Sequence, residues 1–214
     1  MDVKTAVNIS GYPVSLSVSP DGQKLCVIYY TVANGIGESR LVFYDFEHGK
    51  AEKSYVIGAL EHFYDTNTFL VTCEFTDNRH VTVVGDKEFL FLTYDGIGSL
   101  TENAVKNNGT VKSVVEIGKE LLVVTDEVYG TLCTRYDATG RVLNTFMAPD
   151  SYEYVTASTR HVLFRTGAHI EYYNASGKKR YSGELSEVPE FVSFFGTRSL
   201  LVGTGDGLQK ITLK

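Results

Sequence analysis

Apolar residues fall in runs of five to eight, rich in Val, Ile, Thr, Tyr and Phe, and each run stops at a Gly, Asn or Asp. Short β-branched and aromatic runs bounded by turn residues are the signature of strands. No segment keeps an apolar period of about 3.6 residues over three helical turns, so the pattern predicts an all-β chain.

The runs repeat. A Tyr-Asp pair ends an apolar strand at Tyr44-Asp45, Tyr94-Asp95 and Tyr136-Asp137, with Tyr173-Asn174 as a degenerate fourth copy. The tyrosines are spaced by 50, 42 and 37 residues, and Gly49, Gly96, Gly140 and Gly177 follow them. The preceding strands repeat too: His80–Asp86, Glu120–Asp126, His161–Gly167 and Ser199–Gly205 align with one another. A unit of about 40 residues with four strands is a β-propeller blade, because one meander cannot bury both its faces and packing blades round an axis can. Tyr-Asp stands where WD40 blades carry Trp-Asp. Its ring is large with a polar tip, and its Asp is suited to bonding the amides of the next turn. Ser19-Pro20-Asp21-Gly22 reads as the turn between the first two strands of its blade.

The expected fold is therefore one all-β propeller domain over residues 1–214, with about five four-stranded blades near 11–60, 63–108, 110–149, 151–187 and 190–214. The last blade offers three strands. Residues Asp2–Ile9 form a spare strand that is expected to complete it and close the ring.

Three stretches carry a resemblance: Ser10–Leu25, Leu41–Phe46 and Leu208–Lys214. Together they resemble the C-terminal blades of an uncharacterised domain-of-unknown-function family of clostridial Gram-positive bacteria, with WD40-like or quinoprotein-like blades. The resemblance implies a parent with a short cytoplasmic N-terminus, one membrane helix and an extracytoplasmic propeller. It implies no catalytic residues.

Composition narrows the function. The 214 residues carry a net charge of −6, with 43% apolar and 21% charged residues, as in an ordinary globular protein. The acidic balance argues against nucleic acid and against adsorption to anionic lipid. No apolar run approaches the roughly 18 to 20 residues of a membrane span, and Met1–Ala6 lack the basic region and apolar stretch of a signal peptide, so none is expected. The chain itself is expected to be soluble, and to meet a membrane only through an anchor it does not contain. Cys26, Cys73 and Cys133 are widely spaced within apolar runs and read as buried thiols rather than metal or redox ligands.

No nucleotide loop or nucleophile elbow occurs, since Gly203-Thr204-Gly205-Asp206-Gly207 reads as a hairpin turn. Of His48, His62, His80, His161 and His169, none forms a helical i, i+4 pair, and no metal or cofactor is expected. Asp86, Asp126 and Asp206 fall where the second strand of their blades turns, on one expected face of the ring. There they serve either turn chemistry or a binding face. Thr31–Ser39 lengthens the equivalent turn of the first blade and reads as a mobile loop on that face. Tyr30, Asn34, Asp86, Asp126 and Asp206 are thus the candidate recognition residues.

These observations favour a non-catalytic binding or scaffolding module for a protein, a peptide or a cell-envelope glycan. The alternative is a five-bladed carbohydrate-active enzyme. Its carboxylates would be drawn from Glu74 and Glu116, each late in a first strand, with Asp86 and Asp126. A third reading is structural: open strand edges that pair with missing blades or a second copy.

Overall fold

The computed structural model describes residues 11–46, 57–63, 69–96, 100–107, 109–196 and 199–213. Among them are 19 strands and no helix, so the all-β expectation holds. The strands form five separate antiparallel sheets, four of them four-stranded and one three-stranded. The chain divides into two compact units, the first comprising Met1–Asn108 with Ala138–Gly140 and the second the remainder.

In the first unit, one sheet orders β1 (Tyr12–Val18), β2 (Lys24–Ala33), β3 (Ile36–Asp45) and β4 (Ile57–Phe63) as a meander. A second does the same with β5 (Leu70–Phe75), β6 (His80–Gly85), β7 (Glu88–Tyr94) and β8 (Leu100–Lys106). Every ladder joins strands adjacent in sequence, as two-residue and short connections require. The second and third strands are the most apolar and the most buried. Cys26, Ile28, Leu41 and Phe43 of the first sheet pack on Cys73, Val81, Val83, Leu90 and Leu92 of the second. Each such side chain contributes roughly 1.5–3 kcal/mol on burial. The first strands lie side by side, β1 against β5. There the contact is polar: the hydroxyls of Ser15 and Ser17 accept the backbone N–H groups of Cys73 (3.2 Å) and Phe75 (2.9 Å).

The second unit holds three sheets. The first is β9 (Thr110–Ile117), β10 (Glu120–Glu127), β11 (Gly130–Tyr136) and β12 (Val142–Met147). The next is β13 (Tyr154–Ala157), β14 (His161–Thr166), β15 (His169–Asn174) and β16 (Lys179–Glu184). The last is β17 (Phe191–Phe194), β18 (Ser199–Thr204) and β19 (Gly207–Thr212). Leu122, Val124 and Cys133 pack on Val162, Phe164 and Tyr173. Leu163 and Ile170 pack on Val192, Leu200 and Val202. Within each unit, successive sheets thus bury apolar faces against one another, as the repeat demanded.

The Tyr-Asp repeat sits where the sequence placed it, at the end of the third strand of each of the first four sheets. Its acidic member has two fates. The Asp137 and Asn174 side chains accept the backbone N–H groups of Arg141 (3.1 Å) and Lys178 (2.8 Å), closing their turns. Asp45 instead is buried and accepts the hydroxyl of Tyr94. Residues 2–9, the expected closing strand, lie outside the described residues.

Candidate functional site

The second and third strands of all five sheets are joined by two-residue connections: Asn34-Gly35, Asp86-Lys87, Val128-Tyr129, Gly167-Ala168 and Gly205-Asp206. These connections carry most of the residues singled out from the sequence.

The expected mobile loop at Thr31–Ser39 is a hairpin. β2 and β3 pair in unbroken register from Lys24↔Asp45 to Ala33↔Ile36. Asn34 (φ 54°) and Gly35 (φ 79°) both adopt the left-handed conformation that a tight two-residue turn needs. Asn-Gly supplies it cheaply, and this dipeptide was the signal the sequence reading passed over. Among the described residues, pairing with β1 runs to Tyr30 and pairing with β4 to Arg40. Ser39 at the base of the hairpin is buried and accepts the Leu70 N–H (3.1 Å), while Val32 and Ile36 beside the tip are 60% and 50% exposed.

Two further candidates gather at the base of this hairpin. Tyr30 lies across Gly37 and meets the ring of Phe69 edge-on at 5.3 Å. Phe69 is clasped by Asp86, whose carboxylate accepts its N–H (2.8 Å) while Asp86 N–H donates to its carbonyl (2.9 Å). Tyr30 and Asp86 are therefore joined through a residue the sequence reading did not name. Asn34 caps the tip above them.

Asp126 and Asp206 belong to the second unit. Asp206 is exposed in its turn, as expected. Asp126 is not in a turn. It lies in β10 one residue before the strand's end, opposite Thr131, and the connection itself is Val128-Tyr129. The expectation failed because the strand runs two residues further than its apolar run. The Asp126 carboxylate accepts the Thr131 hydroxyl (2.8 Å) and meets Lys112 Nζ at 3.3 Å. The Thr131 hydrogen bond chiefly holds its carboxyl below the ordinary range, with Lys112 adding to it against a burial penalty.

Glu74 and Glu116, the carboxylates of the enzyme reading, are exposed on β5 and β9 and belong to different units. Among the described residues, no three His, Cys, Asp or Glu converge as metal ligands.

The register also builds a cluster the sequence did not reveal. His169 Nδ1 lies 3.0 Å from Glu184 Oε1, and its Nε2 lies 3.1 Å from Ser182 Oγ. Beside it the Glu171 carboxylate takes Lys179 (2.9 Å) and Tyr173 (2.5 Å). The order serine, imidazole, carboxylate is that of an activated nucleophile. It occupies an open sheet face, however, with Glu184 66% exposed, and nothing there excludes water. A cleft of about 530 Å³ lies in the same unit, lined by Ile170, Tyr172, Leu185, Leu200, Val202 and Ile211.

Comparison with known proteins adds three findings. A family profile described as a family of unknown function, DUF5711, matches residues 1–213. A search of the curated proteins found no match. Among 334 matching chains of solved structures is selenomethionine-substituted virginiamycin B lyase from Staphylococcus aureus. It is similar with a TM-score of 0.52 at 12% identity, over 96% of this chain and 71% of that one. The likeness shows a shared propeller-like, all-β fold.

Proposed function

The chain belongs to DUF5711, a family of unknown function, and from that premise we propose that it is a non-catalytic binding or scaffolding module. Its ligand is a protein, peptide or cell-envelope glycan, met on the outer side of a membrane to which a parent protein is anchored. The five sheets are read as five blades of a propeller, with the stretch 2–9 of the sequence as the candidate fourth strand of the last. The similarity of successive sheets, and their burial against one another within each unit, support the blade reading.

The observation that carries the binding reading is the apolar tip of the β2–β3 hairpin. It exposes Val32 and Ile36, at a cost in stability. Its turn is nonetheless of the stiffest two-residue kind. A rigid apolar projection beside an aromatic base formed by Tyr30 and Phe69 is a surface suited to contact rather than to chemistry. The lyase activity of the structural neighbour is not carried over, because 12% identity supports the fold alone.

The test is a binding screen of the immobilised chain against envelope glycans and peptides, repeated with the double variant V32S/I36S. The reading expects a ligand that leaves unaltered and binds at least about tenfold more weakly to the variant. A glycan that is cleaved, with turnover lost in Glu74→Gln or Glu116→Gln, would replace it with the enzyme reading.

A further inference from the structure

The five second-to-third-strand connections obey turn chemistry except one. Four contain Gly, Asn or Asp, which such turns favour. The third is Val128-Tyr129, a β-branched and an aromatic residue, 93% and 94% exposed. Neither takes a positive φ, and Gly130 after them stands at φ 126°, as Gly207 does at φ 131° after the last of these turns. The methyl end of Met147 lies over Gly130, 2.7 Å from where a Cβ would stand. Violation of a local rule without a packing gain marks a functional position more often than an accident.

The surroundings define the chemistry. Met147, 52% exposed, extends the apolar surface at the foot of the tip. Carboxylates rim it: Asp126 and Glu127 end β10 immediately before the tip, and exposed Asp150 lies beside Gly130. Lys112 answers one of them, through its 3.3 Å pair with Asp126. An acidic rim repels anionic lipid, which removes membrane insertion as the use of the apolar tip. An open tyrosine face beside carboxylates attracts ammonium and guanidinium groups, by ring quadrupole and by charge together.

We propose that the Val128-Tyr129 tip is a docking point for a basic polypeptide segment in which Lys or Arg alternates with apolar residues. The apolar side chains cover Val128 and Met147, and a cation sits over Tyr129 against Glu127 and Asp150. The assignment rests on the reading of the chain as a binding module but uses a different surface from the β2–β3 hairpin.

The probe is an acetylated, amidated peptide of alternating arginine and leucine, titrated into the intact chain by calorimetry. The charge-preserving variant V128S/Y129S is compared with V32S/I36S and with Glu127→Gln/Asp150→Asn. The expected result is binding weakened at least about tenfold by V128S/Y129S and unchanged by V32S/I36S. Glu127→Gln/Asp150→Asn should flatten the salt dependence. Equal binding by wild type and V128S/Y129S would show attraction to net charge alone and overturn the proposal. So would binding of an N-acetylglucosamine tetramer at Tyr129 with no binding of the peptide. Loss in V32S/I36S alone would overturn it while leaving the hairpin reading intact. Tyr129→Phe, which keeps the ring, should restore binding in the Val128 background.

Discussion

The hydroxyl of Tyr94 donates to the buried carboxylate of Asp45, so one copy of the Tyr-Asp repeat is tied to the next across the first two sheets. In this copy the ring fills the space between sheets and its polar tip reaches an anion there, whereas Asp137 and Asn174 close their own turns. Tyr94→Phe keeps the ring and removes the donor to a buried charge. It should cost about 1.5–3 kcal/mol, read as a lower denaturant midpoint with the slope unchanged. An unshifted midpoint would remove the tie from the account of stability.

His161 should make the fold sensitive to mild acid. Burial disfavours its protonated form, and Arg160 and Arg135 add to this, so its pKa lies below the ordinary 6.5. As pH falls the unfolded chain takes the proton first, and stability is lost from about pH 6.5 down to the lowered folded value. The ring lies 5.1 Å from Tyr172 and 5.8 Å from Phe194. His161→Phe should keep these contacts and flatten the slope. The informative quantity is the difference between wild type and variant melting temperatures across pH 5 to 7, since every other group is common to both.

The thiols should be silent in the native protein. Cys26, Cys73 and Cys133 are all buried and none forms a disulfide. Burial pushes the Cys133 thiol up to about 12, and the hydrogen bond between Cys26 and Cys73, with burial, pushes the Cys26 thiol well up. An aromatic disulfide reagent at neutral pH should label none of the three until denaturant is added, and then all.

The β2–β3 tip should be locally fragile to loss of its turn. Gly35→Ala places a side chain at φ 79°, which costs roughly 1–2 kcal/mol. Hydrogen exchange should quicken across residues 31–39, while amides of β6 and β7 keep their protection. Uniform acceleration would mean that the hairpin is energetically part of the core rather than an extension of it.

Sheet composition and strand order were legible because burial on both faces leaves a period in the residues themselves. Tyr44, Tyr94, Tyr136 and Tyr173 mark the third strands directly. Register was not legible, and the candidate site depends on it. Which residues of 31–39 are exposed, such as Val32 and Ile36, and which are buried, such as Ser39 beneath Leu70, depends on neighbouring strands that no local pattern in those nine residues records. Asp126 and Asp86 look alike in sequence, yet one lies in a strand and the other makes a turn, because β10 extends past its last apolar residue. The pairing of Ser182 with His169 needs a partner ten or more residues away, and alternation alone fixes only which side each occupies.

The strictly sequential meander has a kinetic consequence. Among the described residues every ladder joins strands that are neighbours in the chain, so little chain entropy opposes any of these pairings. Folding rate in small proteins falls as contacting residues become more distant in sequence. This chain should therefore collapse faster than a Greek-key sandwich of equal length. Its slow step should be the mutual docking of finished hairpins through surfaces such as that shared by Cys26, Phe43, Cys73 and Leu92.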